Sequence, residues 1–203
     1  MLSRLQYLVE GFFESSASVF KKAGLSPNLI TILGFALTLL TSFVYYQWVS
    51  SALTWLAASV LLLLAGYFDA LDGAMARRFL KVSRLGGILD SVLDRIGEIA
   101  LYTGIALGGL VDFRLCFWAL SAALMVSYVR ARVEVEGIKL KGVGIAERPE
   151  RLLILLVSTL LNSFYGGSLG WGIGLVAVLS SITVVERVYR AGKALSIERM
   201  NSS

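Results

Sequence analysis

The chain has no histidine, one cysteine and two prolines among its 203 residues. Without histidine, Ser-His-Asp catalysis, HExxH zinc sites and imidazole proton shuttles are excluded. Cys116 alone can form neither an internal disulfide nor a thiolate metal cluster. Charge is also scarce, at 16% of residues against about 25% in soluble domains. Apolar residues take its place: 57% are hydrophobic and the mean hydropathy is +0.75. One core of this size cannot hold them all, so much of the surface faces lipid. A soluble enzyme, a disordered chain and a disulfide scaffold are thereby excluded. The net charge of +5 points to an anionic partner without naming it.

The apolar residues fall into six runs: 29–48, 53–68, 96–111, 115–129, 152–165 and 169–185. The first is uncharged over 20 residues, enough to span about 30 Å of hydrocarbon. Ahead of them, residues 2–22 place Leu2, Leu5, Val9, Phe12, Ser16 and Phe20 at helical spacing. That pattern predicts an amphipathic juxtamembrane helix within 1–25, lying on the membrane surface rather than a secretory signal. The expected fold is all-α and integral to the membrane, a single domain over 1–203 with six transmembrane helices and that surface helix. With six spans, 17 of the 19 basic residues share one side, leaving Arg114 opposite and Arg95 at the start of span three. The positive-inside rule makes the crowded side cytoplasmic, in a multi-pass protein of the cell membrane. Glycines spaced by four (Gly104 and Gly108; Gly166, Gly170 and Gly174) signal close helix packing, which suits a homodimer.

Span two runs into Asp69 and Asp72, and span three is preceded by Asp90 and Asp94. The i,i+3 and i,i+4 spacings put each pair on one helix face, and the short connection makes the helices antiparallel neighbours. Four carboxylates then converge near the cytoplasmic boundary and need compensation at a partly dry site. Hard divalent cations, Mg²⁺ or Mn²⁺, supply it, and a pair of such ions suits displacement at phosphorus. A cation or proton transporter is the competing reading, because carboxylates inside membranes also mark transport paths. It leaves Gly73, Ala76, Arg77 and Gly86 unexplained, whereas small residues and an arginine suit a nucleotide diphosphate.

Asp69 to Asp94 reads D-x2-D-G-x2-A-R-x8-G-x3-D-x3-D. This resembles the signature of the CDP-alcohol phosphotransferases, with every fixed position present. The resemblance implies transfer of a phosphoalcohol group from a CDP-linked donor to a hydroxyl, with release of CMP. It implies that Asp69, Asp72, Asp90 and Asp94 bind metal and that Asp94 is also the base on the acceptor hydroxyl. It places Gly73, Ala76, Arg77 and Gly86 at the CDP site. Ser26 to Thr31 resembles the start of the family's first span, which adds Asn28 and Thr31 to that site.

Further along, Ser127-Tyr128-Val129-Arg130-Ala131-Arg132 and Glu147-Arg148-Pro149-Glu150-Arg151 stand on the carboxylate side, as does Arg187. Several arginines there suit an acceptor carrying its own phosphate. These segments resemble the branch of the family that makes inositol phosphate lipids, which implies an acceptor phosphate pocket of Arg130, Arg151 and Arg187. The first of these is often lysine in bacterial members. The expected substrates are inositol phosphate and a CDP-linked lipid, either CDP-diacylglycerol or CDP-archaeol. The nearest alternatives keep the chemistry, with glycerol 3-phosphate as acceptor or CDP-inositol as donor. Membrane lipids are the other expected partners, and nucleic acid is not one.

Overall fold

The computed structural model describes residues 2–47, 51–79, 84–138, 140 and 143–201; the side chains of 2–10, 77 and 197–201 are outside that description. Seven helices follow in order among the described residues: α1 (Leu2–Lys22), α2 (Pro27–Tyr46), α3 (Ala52–Arg78), α4 (Arg84–Leu107), α5 (Phe113–Val135), α6 (Arg148–Leu161) and α7 (Ser168–Asn201). Their boundaries follow local chemistry. Ser26 caps α2 by accepting the Leu29 N–H, with Pro27 in the first turn. Ser51 caps α3 by accepting the Thr54 N–H, and Asp112 caps α5 by accepting the Arg114 N–H.

Among the described residues, four helices are long and apolar enough to cross a membrane: α2, α3 over Ala52–Ala76, α5, and α7 over Ser168–Ser196. The expected spans 96–111 and 152–165 fall on α4 and α6, which do not meet both conditions. In α4 the obstacle is charge, since Arg84, Asp90, Asp94, Arg95 and Glu98 fall within its first 15 residues. In α6 it is length: 14 residues at 1.5 Å each give about 21 Å. The expected Trp48 end of span one lies outside the described residues, and so do Lys81, Lys139 and Lys141 of the connecting loops.

The main core joins six helices through Tyr45, Leu62, Leu101, Ile105, Ala119, Leu155 and Ile173. Polar bonds cross it, from Ser42 Oγ to the Ala100 carbonyl at 2.6 Å and between the Tyr45 and Thr159 hydroxyls at 2.7 Å. Outside the core, large side chains such as Ile32, Leu40, Leu63 and Trp171 remain exposed, as a lipid-facing surface requires. A second cluster docks α1 on α3, with Phe13, Ala17 and Phe20 against Tyr67, Phe68, Leu71 and Met75. The apolar face of α1 therefore covers protein there, while Phe12 stays 59% exposed; Leu2, Leu5 and Val9 are outside the described side chains.

Glycine decides how closely α2 approaches its neighbours beside the carboxylates. A Cβ on Gly34 would come within 3.2 Å of Phe68 Cβ on α3, and one on Gly97 within 3.1 Å of Thr38 on α2. Of the two glycine stripes, Gly104 and Gly108 press on the α2 backbone at Ser42 and Tyr45. A Cβ on Gly166, Gly170 or Gly174 would meet no other part of the protein within 4 Å.

Candidate active site

The end of α3 and the start of α4 bring three carboxylates together. Asp69, Asp90 and Asp94 each offer an oxygen within 4.8 Å of the others, a set that can hold a metal ion. Asp72, one turn beyond Asp69, is 7% exposed. Asp72 Oδ2 and Asp90 Oδ1 are buried without a hydrogen-bond partner. Burial pushes the Asp90 carboxyl above its ordinary pKa, with Asp69 adding to the shift and Arg148 opposing it. Asp94 is raised in the same way, by burial first, against the pull of Arg148. Both precede the apolar part of α4 that begins at Ile96. Orphaned oxygens and reluctant ionisation are what a hard divalent cation relieves, so the donor set fits one.

The positive charge facing this cluster comes from α6. Arg148 Nη1 bonds Asp69 Oδ1 and lies 2.6 Å from Asp94 Oδ1, while its Nε is buried without a partner. Arg95 adds a longer contact to Asp94, at 3.2 Å. Two cavities meet here. A small one is lined by Thr31, Gly34, Phe35, Asp69, Asp72 and Leu93. A larger one, about 650 Å³, is lined by Asp90, Ser127, Tyr128, Arg130, Arg151 and Arg187 among others. Asp94 and Arg148 line both.

Thus the three arginines singled out in the sequence gather round one cavity. Two of them are already tightly held. Arg151, 2% exposed, donates from Nε (2.9 Å) and Nη2 (2.5 Å) to Glu98 Oε1, and from Nη1 to the Ala146 carbonyl at 2.7 Å. Arg187 donates to the Val143 and Val126 carbonyls at 2.8 and 2.7 Å and to Glu147 Oε1 at 2.7 Å. Each set uses three of the five N–H groups of a guanidinium. Arg130 differs, pairing with Glu134 at 2.9 Å in a half-exposed position.

Of the residues expected at the CDP site, Thr31 lines the small cavity and donates its hydroxyl to the Pro27 carbonyl at 3.1 Å. Gly73, Ala76 and Gly86 are half-buried on α3 and α4, and Asn28 is exposed at the start of α2. The Arg77 side chain is outside the described residues. Sequence reasoning missed Glu98 and Glu147 as partners of arginine, and Arg148 as partner of the aspartates. For Glu98 a signal existed: it extends the Asp90–Asp94 face by one more turn of i+4 spacing.

The sequence pattern of the CDP-alcohol phosphatidyltransferases matches residues 25–183, which include the whole carboxylate cluster. The chain belongs to this family. Family members similar to it include the archaetidylinositol phosphate synthase of Pyrococcus horikoshii, 40% identical over 97% of this chain and all of that one. Among solved structures, the phosphatidylinositol phosphate synthase of Mycobacterium tuberculosis with CDP-DAG bound has a TM-score of 0.74 at 29% identity, covering 88% of this chain and 92% of that one. The same enzyme in complex with manganese and citrate also gives 0.74 at 29% identity, covering 88% of each chain. A family enzyme with this architecture has thus been seen with a divalent metal, the cation class that the Asp69–Asp90–Asp94 set fits.

Proposed function

We propose that the protein transfers a phosphatidyl-type group from a CDP-linked lipid to inositol phosphate and releases CMP. The observation that carries this reading is the shared wall between the cavities. Asp94 faces both the carboxylate cluster, where a pyrophosphate and its metal would sit, and the arginine-lined cavity, where a phosphorylated acceptor would sit. The names of the similar enzymes and the CDP-DAG held by one of them support the substrates.

Asp69, Asp72, Asp90 and Asp94 would hold Mg²⁺ or Mn²⁺, two ions in all, neutralising the pyrophosphate and the departing phosphate oxygen. The chain's own groups do the rest. Asp94 takes the acceptor hydroxyl proton. The freed oxygen bonds to the phosphorus that carries the lipid alcohol, and the bond from that phosphorus to CMP breaks. Asn28, Thr31, Gly73, Ala76, Arg77 and Gly86 receive the CDP group. Arg130, Arg151 and Arg187 hold the acceptor phosphate, the buried pair through the N–H groups beyond their internal bonds.

In the membrane, residues 1–203 form one domain and α4 and α6 cross together with the four longer helices. Their apolar ends, with Ile99 and Leu107 on α4 and Leu153, Val157 and Leu160 on α6, are exposed as lipid contacts require. α1 lies along the cytoplasmic surface, its Phe12 and Val19 exposed beside the face docked on α3. The site faces the cytoplasm, at the arginine-rich helix ends. Gly166 lies in the turn ahead of α7, which leaves Gly170 and Gly174 on one face of that helix with open space beside them, a face that suits a second copy of the chain, making a homodimer.

The test offers the purified protein CDP-archaeol or CDP-diacylglycerol with inositol phosphate, and follows CMP release and product mass. Inositol phosphate gives the fastest release and an inositol-phosphate lipid. Faster release with glycerol 3-phosphate overturns the acceptor, and a soluble di-inositol phosphate from CDP-inositol overturns the lipid donor. Ion flux in liposomes without CMP release overturns the transferase reading altogether.

A further inference from the structure

Arg148 holds a position that none of the roles above requires. Its guanidinium bridges Asp69 and Asp94, two of the three carboxylates that meet within 4.8 Å, and its Nε is buried without a partner. It also lines the cavity of Arg130, Arg151 and Arg187. Carboxylate lone pairs that accept from a guanidinium are not at the same time free for a metal at bonding distance. The two cations therefore contest the same two carboxylates. A guanidinium released from the aspartates has the acceptor cavity beside it, and its planar fork matches a phosphate.

We infer that Arg148 is a tethered counter-cation that competes with the divalent metal for Asp69 and Asp94 and, once displaced, turns to the anion in the acceptor cavity. The inference rests on the metal reading of the aspartate cluster. It makes metal and acceptor binding mutually reinforcing, because the metal frees the group that the anion uses, and the same factor must appear in both affinities. Arg148 is then a positioning residue that sets the order of assembly.

The experiment titrates Mn²⁺ by calorimetry into the full chain in detergent, with and without inorganic phosphate. If Arg148 occupies the aspartates nine-tenths of the time, removing it tightens apparent Mn²⁺ binding about tenfold. Arg148→Gln is expected to show that gain in the absence of phosphate. Arg95→Gln removes an equal charge from Asp94 without the bridge and is expected to give less than about threefold, the contribution of a half-solvated charge. In wild type Mn²⁺ tightens phosphate binding, and in Arg148→Gln that gain shrinks. Equal Mn²⁺ affinities in Arg148→Gln and Arg95→Gln overturn the inference, as does an undiminished phosphate gain. Should the glutamine variant fail to fold, Arg148→Lys makes the same test. Both contacts come from the one nitrogen Nη1, and a lysine ammonium stops one bond short of that position, so this variant must bind Mn²⁺ more tightly than wild type. Wild-type Mn²⁺ binding that Asp90→Asn abolishes and Arg148→Gln leaves unchanged removes this inference alone. No Mn²⁺ binding by wild type or variants removes the metal reading with it.

Discussion

The two sides of the site are built on opposite principles. On the α3–α4 side the carboxylates are under-compensated: Asp69, Asp90 and Asp94 crowd together, and Asp72 and Asp90 keep buried oxygens without partners. On the α5–α7 side Arg151 and Arg187 are each locked by a carboxylate and by backbone carbonyls. One side carries more carboxylates than Arg148 and Arg95 balance, while the other has its charges balanced from within. Substitutions on the first should act on chemistry and metal binding with little cost to the fold. Those on the second should act on the fold before they act on turnover.

The largest effect is expected from Asp94→Asn. It removes the proposed base and a metal ligand together, so CMP release should drop by about 10⁴-fold, the upper end for a lost base. The fold should hold, because the change also removes a charge that burial disfavours. A thermal midpoint equal to wild type with no turnover meets this expectation, and turnover within tenfold of wild type breaks it.

The same asymmetry has a pH signature. Asp90 and Asp94 bind their protons more tightly folded than unfolded, so without metal the fold loses stability as pH rises from the ordinary carboxylate range, about 4, through the raised values. Mn²⁺ should flatten that fall and itself bind more tightly at higher pH, because it displaces protons. Unfolding scans across pH, with EDTA or Mn²⁺, check the sign.

On the arginine side, Arg151→Ala leaves Glu98 buried and unpaired. A broken buried pair costs about 3–5 kcal/mol, so this variant should lose stability by that order besides raising the acceptor KM. Glu98→Gln should lose less, since the amide oxygen still accepts from the guanidinium. If Arg151→Ala raises KM with an unchanged thermal midpoint, the pair is not structural and the contrast between the two sides fails.

That contrast explains which parts could be read from sequence. The aspartates were legible because i,i+3 and i,i+4 spacing on single helices is a local property. Helices α1, α2, α3, α5 and α7 were legible because apolar runs and caps are local too. The failures are contacts between distant segments. Glu98 meets Arg151 across 53 positions, Glu147 meets Arg187 across 40, and Arg148 reaches Asp69 across 79. Periodicity cannot say which arginine a buried glutamate will clamp, so an arginine held internally and one exposed to the cavity look alike in the sequence. The shortness of α6 was hidden for a related reason. The apolar run continues through 165, but the helix ends at Leu161, ahead of the turns about Gly166 and Gly167.

The smallest effect tests where the internal locking stops. Arg130 and Glu134 are one turn apart on α5, with side chains 39% and 43% exposed. An i,i+4 pair so solvated contributes no more than about 0.5 kcal/mol. Glu134→Gln should therefore leave the thermal midpoint nearly unchanged, unlike any break at Glu98. It should also free Arg130 for the acceptor phosphate and lower the acceptor KM by no more than about twofold, an effect that fades at high salt. A loss of stability comparable to that of Arg151→Ala would mean that Arg130 is clamped as its neighbours are. The mouth of the cavity would then be as rigid as its floor, and the acceptor would meet no adaptable cation on entering.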